Sequence, residues 1–241
     1  MDMDERLVGG AAEFGIQLSE IQMDQFRLYH ERMVEWNEMM NLTRIIEWEH
    51  VVGRHFLDSL SLVTALPPEA LRRDATLLDV GSGAGLPGVP LKIVFPDLRV
   101  TLLEVTQKKT LFLEQVVGDL GLPGLDVRTG RAETLAHEPD LREAFDTVVA
   151  RGVNKLNVLV ELMAGFCRVG GVVVAQKSAA PDDEVRAASA AIETMGVELE
   201  EIRELDFDGS GGPRSLVVLR KTRPTPKRYP RRPGIPYKRP L

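Results

Sequence analysis

Residues Leu77 to Gly88 read LLDVGSGAGLPG, and this stretch indicates the fold. Leu77, Leu78 and Val80 suit a buried strand of a parallel sheet. The alternating glycines that follow allow positive φ angles and a close approach of the backbone to a ligand. Val89 to Phe95 then predicts a helix whose positive N-terminus would face that ligand. Strand, turn and helix together predict a site for a nucleoside-bearing cofactor.

The residues around the turn discriminate among such cofactors. A dinucleotide turn has glycine at its first, third and sixth positions, but the sixth position here is Leu86. Asp79 would repel a pyrophosphate, yet it could accept hydrogen bonds from loop amides or from the amino group of a cationic ligand. S-adenosylmethionine has no phosphate and carries an ammonium and a sulfonium, and class I methyltransferases use a similar acidic, glycine-rich turn. Glu104, after the apolar run 100–103, could bind ribose hydroxyls in either family.

Strand-like and helix-like segments alternate after the turn. Strands are predicted over 99–104, 125–128, 145–150, 171–176, 197–205 and 215–220, and helices over 106–120, 154–166 and 182–195. Repeated βα units predict a parallel sheet with helices on both faces, and the loop 208–212 allows the last two strands to form an antiparallel hairpin. We therefore expect a class I S-adenosylmethionine-dependent methyltransferase fold, α/β, with a Rossmann-like seven-stranded sheet and an antiparallel last strand.

The segment before the turn predicts a helical cap. Ser19 begins a helical pattern of apolar residues, and a second helix is predicted over 53–66, closed by Pro67 and Pro68. The apolar positions of the first helix are Ile21, Phe26, Tyr29, Met33, Trp36, Met39 and Met40. We expect three parts: a helical cap over 1–70, a cofactor-binding methyltransferase domain over 71–221 and a basic, proline-rich tail over 222–241.

The charge is unevenly distributed along the chain. The net charge is −6, but residues 220–241 contain nine basic residues and no acid, so the rest of the chain carries −15. Six prolines in this tail predict an extended, non-helical segment. Tyr229 and Tyr237 lie among its cations, a pattern that suits contacts with nucleic-acid phosphates and stacking on bases. Alternatively, the tail docks on the acidic body of its own protein.

The composition limits the compartment and the site chemistry. No apolar run approaches the ~20 residues of a membrane span, and the acidic start MDMDER predicts no signal peptide, so a cytoplasmic location is expected. Cys167 is the only cysteine, which excludes an internal disulfide, and we interpret it as a buried structural thiol. The four histidines are scattered and predict no metal site.

Ligands bind at the carboxyl ends of the strands in an open α/β sheet, so the candidates follow the predicted strands. They are Gly81 to Leu86, Glu104 to Thr106, Arg131 to Glu133, Arg151 and Lys177. Ala132 and Glu133 could flank an adenine, or Glu133 could be an acid in the first turn of a short helix. Arg151 could meet a carboxylate or a substrate phosphate, or could form an ion pair with Asp146 or Glu133.

The residues after the fourth strand restrict the reaction. Exocyclic amino methylation usually needs a polar-Pro-Pro-aromatic clamp and pyrimidine carbon methylation a Pro-Cys nucleophile, and residues 151–154, RGVN, supply neither. A ring nitrogen with a free in-plane lone pair needs no general base. We therefore assign no catalytic residue and expect positioning to provide most of the catalysis.

Several motifs resemble those of the bacterial glucose-inhibited division protein B family, the small-subunit ribosomal RNA guanine-N7 methyltransferases. They cover nearly the whole chain, and the extended glycine segment is far more specific than a generic turn. The matching motifs are NLT at 41–43, RHFLDS at 54–59, DVGSGAGLPGVPL at 79–91, TLLE at 101–104, FD at 145–146 with AR at 150–151, and KRYPRRPG at 227–234.

The resemblance implies methyl transfer from S-adenosylmethionine to N7 of a guanine in small-subunit ribosomal RNA, within a ribosomal particle, by a protein that we expect to be a monomer. The implied cofactor contacts are Gly81, Gly83, Leu86, Glu104, Val105, Thr106, Ala132, Glu133 and Arg151. The candidates for RNA contact are Asn41, His55, Lys177 and Arg214. The sequence departs from the family pattern at QKS, residues 176–178, where relatives often have lysine followed by glycine, and at Glu104, where aspartate is common.

Some assignments remain open at this point. His55 suits either a surface or capping role or a substrate contact, and Glu133 or Asp58 could stabilise the positive charge of a methylated guanine. Two other functions are possible: a non-catalytic protein that binds RNA or a ribosomal particle and retains the cofactor, and a nicotinamide-dependent oxidoreductase. The second requires a set such as Tyr-x-x-x-Lys, and none of the three tyrosines is so placed.

Overall fold

A seven-stranded sheet forms the centre of the computed structural model, which describes residues 3–152, 154–178, 181–207 and 211–241. The strands are β1 (Thr76–Val80), β2 (Arg99–Glu104), β3 (Leu125–Thr129), β4 (Phe145–Arg151), β5 (Cys167–Ser178), β6 (Val197–Leu205) and β7 (Arg214–Lys221). Their order is β3-β2-β1-β4-β5-β7-β6. Strand β7 runs antiparallel to both of its neighbours, β5 and β6, and it forms the predicted hairpin with β6. Residues 208–210 of the predicted hairpin loop lie outside the described residues.

Helices cover both faces of this sheet. They are α1 (Met3–Glu13), α2 (Glu20–Met40), α3 (Gly88–Val94), α4 (Gln107–Leu120), α5 (Ala132–Leu135), α6 (Leu156–Met163), α7 (Asp182–Ala187), α8 (Ser189–Met195) and α9 (Ile235–Lys238). The single helix predicted over 182–195 is therefore two helices, and α1 is not predicted from the sequence. None of the helices in the described ranges is both long and apolar enough to cross a membrane.

Helix α2 begins where the sequence predicts. Ser19 and Gln22 form a reciprocal capping box, which supplies partners for amides that the first turn leaves free. Phe26, Tyr29 and Met33 are buried as expected, whereas the predicted apolar positions Ile21 and Met39 are mostly exposed. The buried Tyr29 hydroxyl donates a hydrogen bond to the carbonyl of Ala84 in the glycine turn. The N-terminal cap thus supports the turn directly.

Residues 48–65 form one irregular helix that starts earlier than predicted. It is α-helical over Trp48–Val51, π-helical over Val52–Leu57, α-helical over Asp58–Leu60 and 3₁₀-helical over Ser61–Ala65. The wider π segment is a geometry that proteins often use at functional sites. His55 in this segment and Asp58 directly after it are both buried polar residues, and Asp58 contacts Arg151 at the end of β4.

Two hydrophobic cores lie on opposite faces of the sheet. Leu77 and Leu102 belong to the core that α2 and the irregular helix cover. The neighbouring residues Leu78 and Leu103 belong to the core that includes residues of α6 and α8. Adjacent residues of one strand point to opposite faces, so the continuous apolar runs of β1 and β2 serve both cores.

The basic tail docks on the second of these faces, as the alternative interpretation predicts. We call residues 222–241 the C-terminal strap. It starts where β7 ends, at the amino-terminal edge of the parallel strands, and its Gly234 amide donates to Glu133 of α5 at the carboxyl edge (2.9 Å). Arg142 donates to the carbonyl of Tyr229 (3.0 Å), and Arg231 pairs with the fully buried Glu161 (2.6 Å).

The prediction that the tail contains no helix is wrong at α9. Gly234 takes a left-handed conformation (φ 81°) before the helix, and Pro236 occupies its first turn. A proline is tolerated there because the first amides of a helix have no partner within it. The prolines therefore exclude helix from most of the tail but permit this short one.

Gly88 provides a test of the packing between the glycine turn and β2. A Cβ at this position would lie 2.4 Å from Leu102 Cδ2 and 3.0 Å from an oxygen of Asp79. We expect Gly88→Ala to lower the free energy of unfolding by about 1–3 kcal/mol, because the core must shift to accept the methyl group. The matched control is Gly118→Ala, within a helix and with nothing in the way; there alanine should stabilise by up to about 1 kcal/mol. Equal denaturation midpoints for the two variants would contradict this account.

Candidate functional site

Two adjoining cavities open at the carboxyl ends of the strands. The turn cavity, about 430 Å³, is lined by the glycine turn and by Glu104 to Thr106. The arginine cavity, about 590 Å³, is lined by residues that include Arg54, Asp58 and Arg214. His55, Arg151 and Gly152 line both cavities. A ligand in one cavity would therefore lie directly beside a ligand in the other.

The glycine turn has the geometry that the sequence predicts. Gly81, Gly83 and Gly85 have φ values of 74°, 59° and 91°, angles that side-chain-bearing residues rarely adopt. A Cβ on Gly85 would lie 2.7 Å from Val89 Cγ2 and 3.1 Å from the Tyr29 hydroxyl. Gly81 and Gly83 line the turn cavity together with Leu86. The turn is thus a cradle of bare backbone that accepts a ligand closely.

Glu104 joins the turn to the end of β2. One carboxylate oxygen accepts from the Gly83 amide (3.0 Å), and the other accepts from the Val105 and Thr106 amides (2.9 and 2.8 Å). The side chain is buried and lines the turn cavity. An ionised carboxylate can accept about four hydrogen bonds, so it retains capacity for a ribose hydroxyl. The predicted cofactor contacts Gly81, Gly83, Leu86, Glu104, Val105 and Thr106 therefore surround a single cavity.

Asp79 is buried inside the turn. One of its oxygens accepts from the Gly88 amide (2.9 Å), so the carboxylate fixes the start of α3, as the loop-amide alternative predicts. The other oxygen has no partner among the described residues. Burial raises the pKa of Asp79 to about 7, against the opposing effect of the Gly88 amide. The residue therefore shapes the turn from within.

His55 is held at the junction of the two cavities. Its Nδ1 lies 3.1 Å from the carbonyl of Arg54, and its Nε2 lies 3.1 Å from the Thr43 hydroxyl. A carbonyl only accepts, so Nδ1 carries the proton and Nε2 accepts from Thr43. Burial lowers the pKa of His55 to about 4, and the nearby Arg151 adds to this effect. His55 is thus neutral and buried, which excludes the surface role considered above.

Asp58 joins two arginines from different strands. Arg151 at the end of β4 donates to one carboxylate oxygen (2.9 Å), and Arg214 at the start of β7 donates to the other (3.1 Å). Asp58 is 4% exposed, and a buried carboxylate requires such partners. The ion pair predicted for Arg151 exists, but the predicted partners Asp146 and Glu133 are wrong. Sequence reasoning could not find Asp58 as the partner because it lies on the irregular helix, far away in the chain.

The remaining predicted RNA contacts occupy different places. Lys177 lines the arginine cavity, where its ammonium contacts Glu184 (2.7 Å) and the carbonyl of Asn154 (2.7 Å). Arg214 lines the same cavity. Asn41 instead ends α2 in a left-handed conformation and is exposed outside the lining of either cavity. The structure thus brings His55, Lys177 and Arg214 together, with Asn41 apart from them.

Ala132 and Glu133 lie behind the turn cavity, where α5 begins after β3. Both are buried, and neither lines the cavity. Glu133 lies in the first turn of α5, as one interpretation predicts, and accepts from the Gly234 amide of the strap. Their role as adenine contacts stays a prediction.

Several lining residues are absent from the sequence-based candidates. Lys109 lines the turn cavity, and Arg54 and Gln176 line the arginine cavity. The Gln176 amide donates to the Asp58 carbonyl (2.6 Å), and its oxygen has no partner among the described residues. Arg54 could have been predicted as a site residue, because it begins the RHFLDS motif at 54–59. Lys109 follows Lys108 in a polar first turn of α4, and no local pattern distinguishes it as a cavity residue.

Two other assignments concern groups without a catalytic role. Cys167 is fully buried, and burial raises the pKa of its thiol to about 12, so it is the structural thiol that the sequence predicts. Within the described ranges, no group of three or more histidine, cysteine or acidic side chains could hold a metal ion.

A family model and the similar proteins carry the same family description. The family model GidB, described as rRNA small subunit methyltransferase G, matches residues 22–209. A protein of Bacillus velezensis named ribosomal RNA small subunit methyltransferase G is 42% identical over 237 residues, which cover 98% of each chain. A protein of Pelotomaculum thermopropionicum with the same name is 44% identical, again over 98% of each chain.

Solved structures with little sequence identity share the fold. Fibrillarin from Aeropyrum pernix, in complex with natively bound S-adenosyl-L-methionine, is 16% identical with a TM-score of 0.53, over 66% of this chain and 71% of that chain. A SAM dependent methyltransferase from Aquifex aeolicus is 18% identical with a TM-score of 0.50, over 67% of this chain and 88% of that chain. The fold class predicted from the sequence is confirmed.

The pKa of Asp79 predicts a pH-dependent stability. The native state retains the Asp79 proton up to about pH 7, whereas the unfolded chain loses it near pH 4. Between these values unfolding releases a proton, so rising pH favours the unfolded state. From pH 5 to pH 8 the unfolding free energy of the protein without ligand should fall by an extra amount of the order of 2 kcal/mol relative to Asp79→Asn. Urea denaturation of both proteins at the two pH values measures this difference, and parallel pH profiles would contradict it.

Proposed function

The chain belongs to the rRNA small subunit methyltransferase G family, and on that premise we propose that it methylates N7 of a guanine in small-subunit ribosomal RNA. It is an S-adenosylmethionine-dependent rRNA methyltransferase with a class I fold. The main structural support for guanine N7 methylation is the pair of adjoining cavities, which share the lining residues His55, Arg151 and Gly152. One cavity suits a nucleoside cofactor, and the other suits part of an anionic substrate.

The residues of the turn cavity fit S-adenosylmethionine. The glycine cradle provides close backbone contact, and no phosphate-binding glycine occupies the sixth position. The Glu104 carboxylate suits the ribose hydroxyls, and Val105 and Thr106 extend the same wall. We propose Gly81, Gly83, Leu86, Glu104, Val105, Thr106 and Arg151 as direct contacts. Ala132 and Glu133 support the adenine side from behind the cavity. When bound, the cofactor supplies an electrophilic methyl group on a sulfonium sulfur.

The arginine cavity suits the RNA. Four cations line it, and the buried carboxylate of Asp58 holds two of them, Arg151 and Arg214, in place; the other two are Arg54 and Lys177. A guanidinium held in this way is oriented for a phosphate or for a guanine edge. His55 and Lys177 contribute from neighbouring walls, and Asn41 would meet RNA outside the cavity. Of the two carboxylates considered for the charged product, Asp58 lines this cavity and Glu133 does not.

The chemistry of guanine N7 agrees with the protonation states of the site. N7 has an in-plane lone pair and loses no proton when it gains the methyl group, so no base is required. The buried, neutral His55 uses its free lone pair to accept from Thr43 and is not poised to remove a proton. The residues therefore act by orienting the base and by excluding water.

We also propose the context of the reaction. Residues 1–70 form a cap over the cofactor domain 71–221, and residues 222–241 form the strap. The substrate RNA is part of a ribosomal particle, and one copy of the chain carries out the reaction in the cytoplasm. Within a particle, the target guanine must be in a loop or must leave its stack, since N7 lies on the Hoogsteen edge.

Transfer of labelled methyl from S-adenosylmethionine to small ribosomal subunits that lack the modification tests the proposal. We expect label in the RNA, and nucleoside mass analysis should identify it as 7-methylguanosine. Purified RNA alone is the second substrate, and reactions without protein are the control. Label only in subunits would support the particle as substrate. A different methylated nucleoside would contradict the N7 assignment, and bound cofactor without any transfer would favour the non-catalytic alternative.

The cofactor site can be tested separately by Gly81→Asp. Position 81 has a positive φ and lines the turn cavity, so an aspartate would strain the turn and place a charged side chain where the ligand binds. We expect the calorimetric affinity for S-adenosylmethionine to fall at least about tenfold, or about 1.4 kcal/mol, while affinity for RNA is retained. Gly118→Ala, distant from both cavities, is the control. Unchanged cofactor affinity in Gly81→Asp would overturn the assignment.

A further inference from the structure

The cations of the C-terminal strap fall into two groups. One group points inward and anchors the strap, and the other points outward. We propose that the outward group is a binding surface for the phosphate backbone of the RNA substrate, an inference that rests on the proposed function. We call this group the cation ridge; it consists of Lys227, Arg228, Arg232, Lys238 and Arg239.

The inward contacts fix the strap along its length. Arg231 makes a two-pronged contact with Glu161, through Nε (2.9 Å) and Nη2 (2.6 Å), and its backbone amide donates to the same carboxylate. The Thr225 amide donates to Glu143 (2.6 Å), and the carbonyl of Pro230 lies 2.8 Å from His137 Nε2. Among the ridge residues, Arg228 also lies over the ring of the buried Tyr229, 5.1 Å from its centroid, and the contacts given above do not involve the side chains of the other four. Docking on the protein body therefore leaves most of the tail's charge available.

The ridge is distinguished by the density of its cations: five lie within residues 227–239, in a segment that contains no acid. All five are exposed, and within the described part of the chain none forms an ion pair. Elsewhere, Arg99, Arg128 and Arg168 each pair with an aspartate, whereas Arg72 and Arg73 have no ion pair among the described residues but lie between the acids Glu69 and Asp74 in the sequence. The protein carries six more acids than bases, so unpaired cations do not result from a shortage of acids. Their isolation concentrates positive potential on one surface.

The course of the strap places this charge near the proposed reaction site. The strap leaves β7 at the amino-terminal edge of the parallel strands, crosses beside α6 and reaches α5 at the carboxyl edge. Arg232 and Lys238 flank Gly234, whose amide contacts Glu133 behind the turn cavity. The ridge therefore runs along the side of the domain towards the cavities. An RNA whose target base enters the arginine cavity can extend its backbone over this side.

RNA fits this surface better than an acidic protein does. Residues 1–219 carry a net charge of −15 and would repel a polyanion, so phosphate binding requires a local cationic surface. Tyr237, 43% exposed, lies among the ridge cations and offers a stacking surface for an unpaired base. Because the strap is anchored, the ridge cations are held in position before binding, which lowers the entropy cost of ordering them.

Salt-dependent RNA binding by the full-length protein tests the ridge. The probe is an in-vitro transcript of small-subunit ribosomal RNA, and its affinity is measured at several KCl concentrations. The ridge variant replaces Lys227, Arg228, Arg232, Lys238 and Arg239 with glutamine. For every phosphate that the variant no longer neutralises, the slope of log affinity against log salt should become shallower by about 0.7. We expect a clearly flatter slope for the variant, with only a small change in the thermal unfolding midpoint, because the ridge side chains are exposed and the one ring contact that is lost, between Arg228 and Tyr229, is worth about 0.5–1 kcal/mol.

A matched pair of double variants separates the ridge from net charge. Arg232→Gln with Lys238→Gln should flatten the slope. Arg72→Gln with Arg73→Gln removes the same charge from exposed residues just before β1, at the opposite edge of the sheet, and should leave the slope nearly unchanged. Arg231→Gln should instead lower the unfolding midpoint, since it leaves Glu161 buried without its partner.

The outcomes separate this inference from the proposed function. An unaltered salt slope in the five-residue variant would overturn the ridge even if the wild type methylates RNA, and the cations would then serve another partner such as an acidic protein. If the two double variants change the salt slope equally, the effect depends on the net charge of the protein and not on the ridge, and the inference is overturned. If the wild type binds RNA but transfers no methyl group, the proposed function fails. The salt slope of the ridge variant then still shows whether the ridge binds RNA phosphates.

Discussion

The hydrogen bond between the buried Asp79 carboxylate and the Gly88 amide is the constraint on which the site depends. It closes the glycine turn from within and fixes the start of α3 against β1. The absence of a side chain at Gly88 allows this approach, since a Cβ would collide with Leu102. Glu104 then holds Gly83 from the next strand, and the Tyr29 hydroxyl holds Ala84 from the N-terminal cap. The turn cavity keeps its shape because three parts of the chain hold one loop.

Asp58 has a comparable role for the arginine cavity. It lies on the irregular helix, and its two arginine partners lie on β4 and β7, so one carboxylate joins the N-terminal cap to two strands of the sheet. If one arginine were removed, Asp58 would still pair with the other. Loss of Asp58, by contrast, would leave two partly buried guanidinium groups close together. The irregular helix therefore helps to form the arginine cavity as well as covering the core.

Local patterns were sufficient to predict the sheet and the turn. The observed bounds of β2 and β6 equal the predicted ones, because each strand is a run without glycine or proline that turn residues precede and follow. The glycine turn is predictable because its conformation requires glycine. The partners of Arg151 and Glu133 were not predictable, since they lie 93 and 101 residues away along the chain. Ile21 shows another limit: its spacing fits the apolar face of α2, yet it is 73% exposed, because the face that packs is set by the neighbouring elements.

The proposed reaction also explains why the site contains no obvious base. Methyl transfer to guanine N7 moves a positive charge from sulfur to the base and releases no proton, so the total charge in the site is conserved. Within the arginine cavity, the groups beside the proposed base can keep the same charge throughout the reaction. Asp58 is compensated by two arginines, and burial keeps His55 neutral. A histidine that titrated near neutrality would add a variable charge beside the cationic product, whereas this one holds a constant hydrogen bond to Thr43. These electrostatics agree with the proposed catalysis by alignment of the reacting groups.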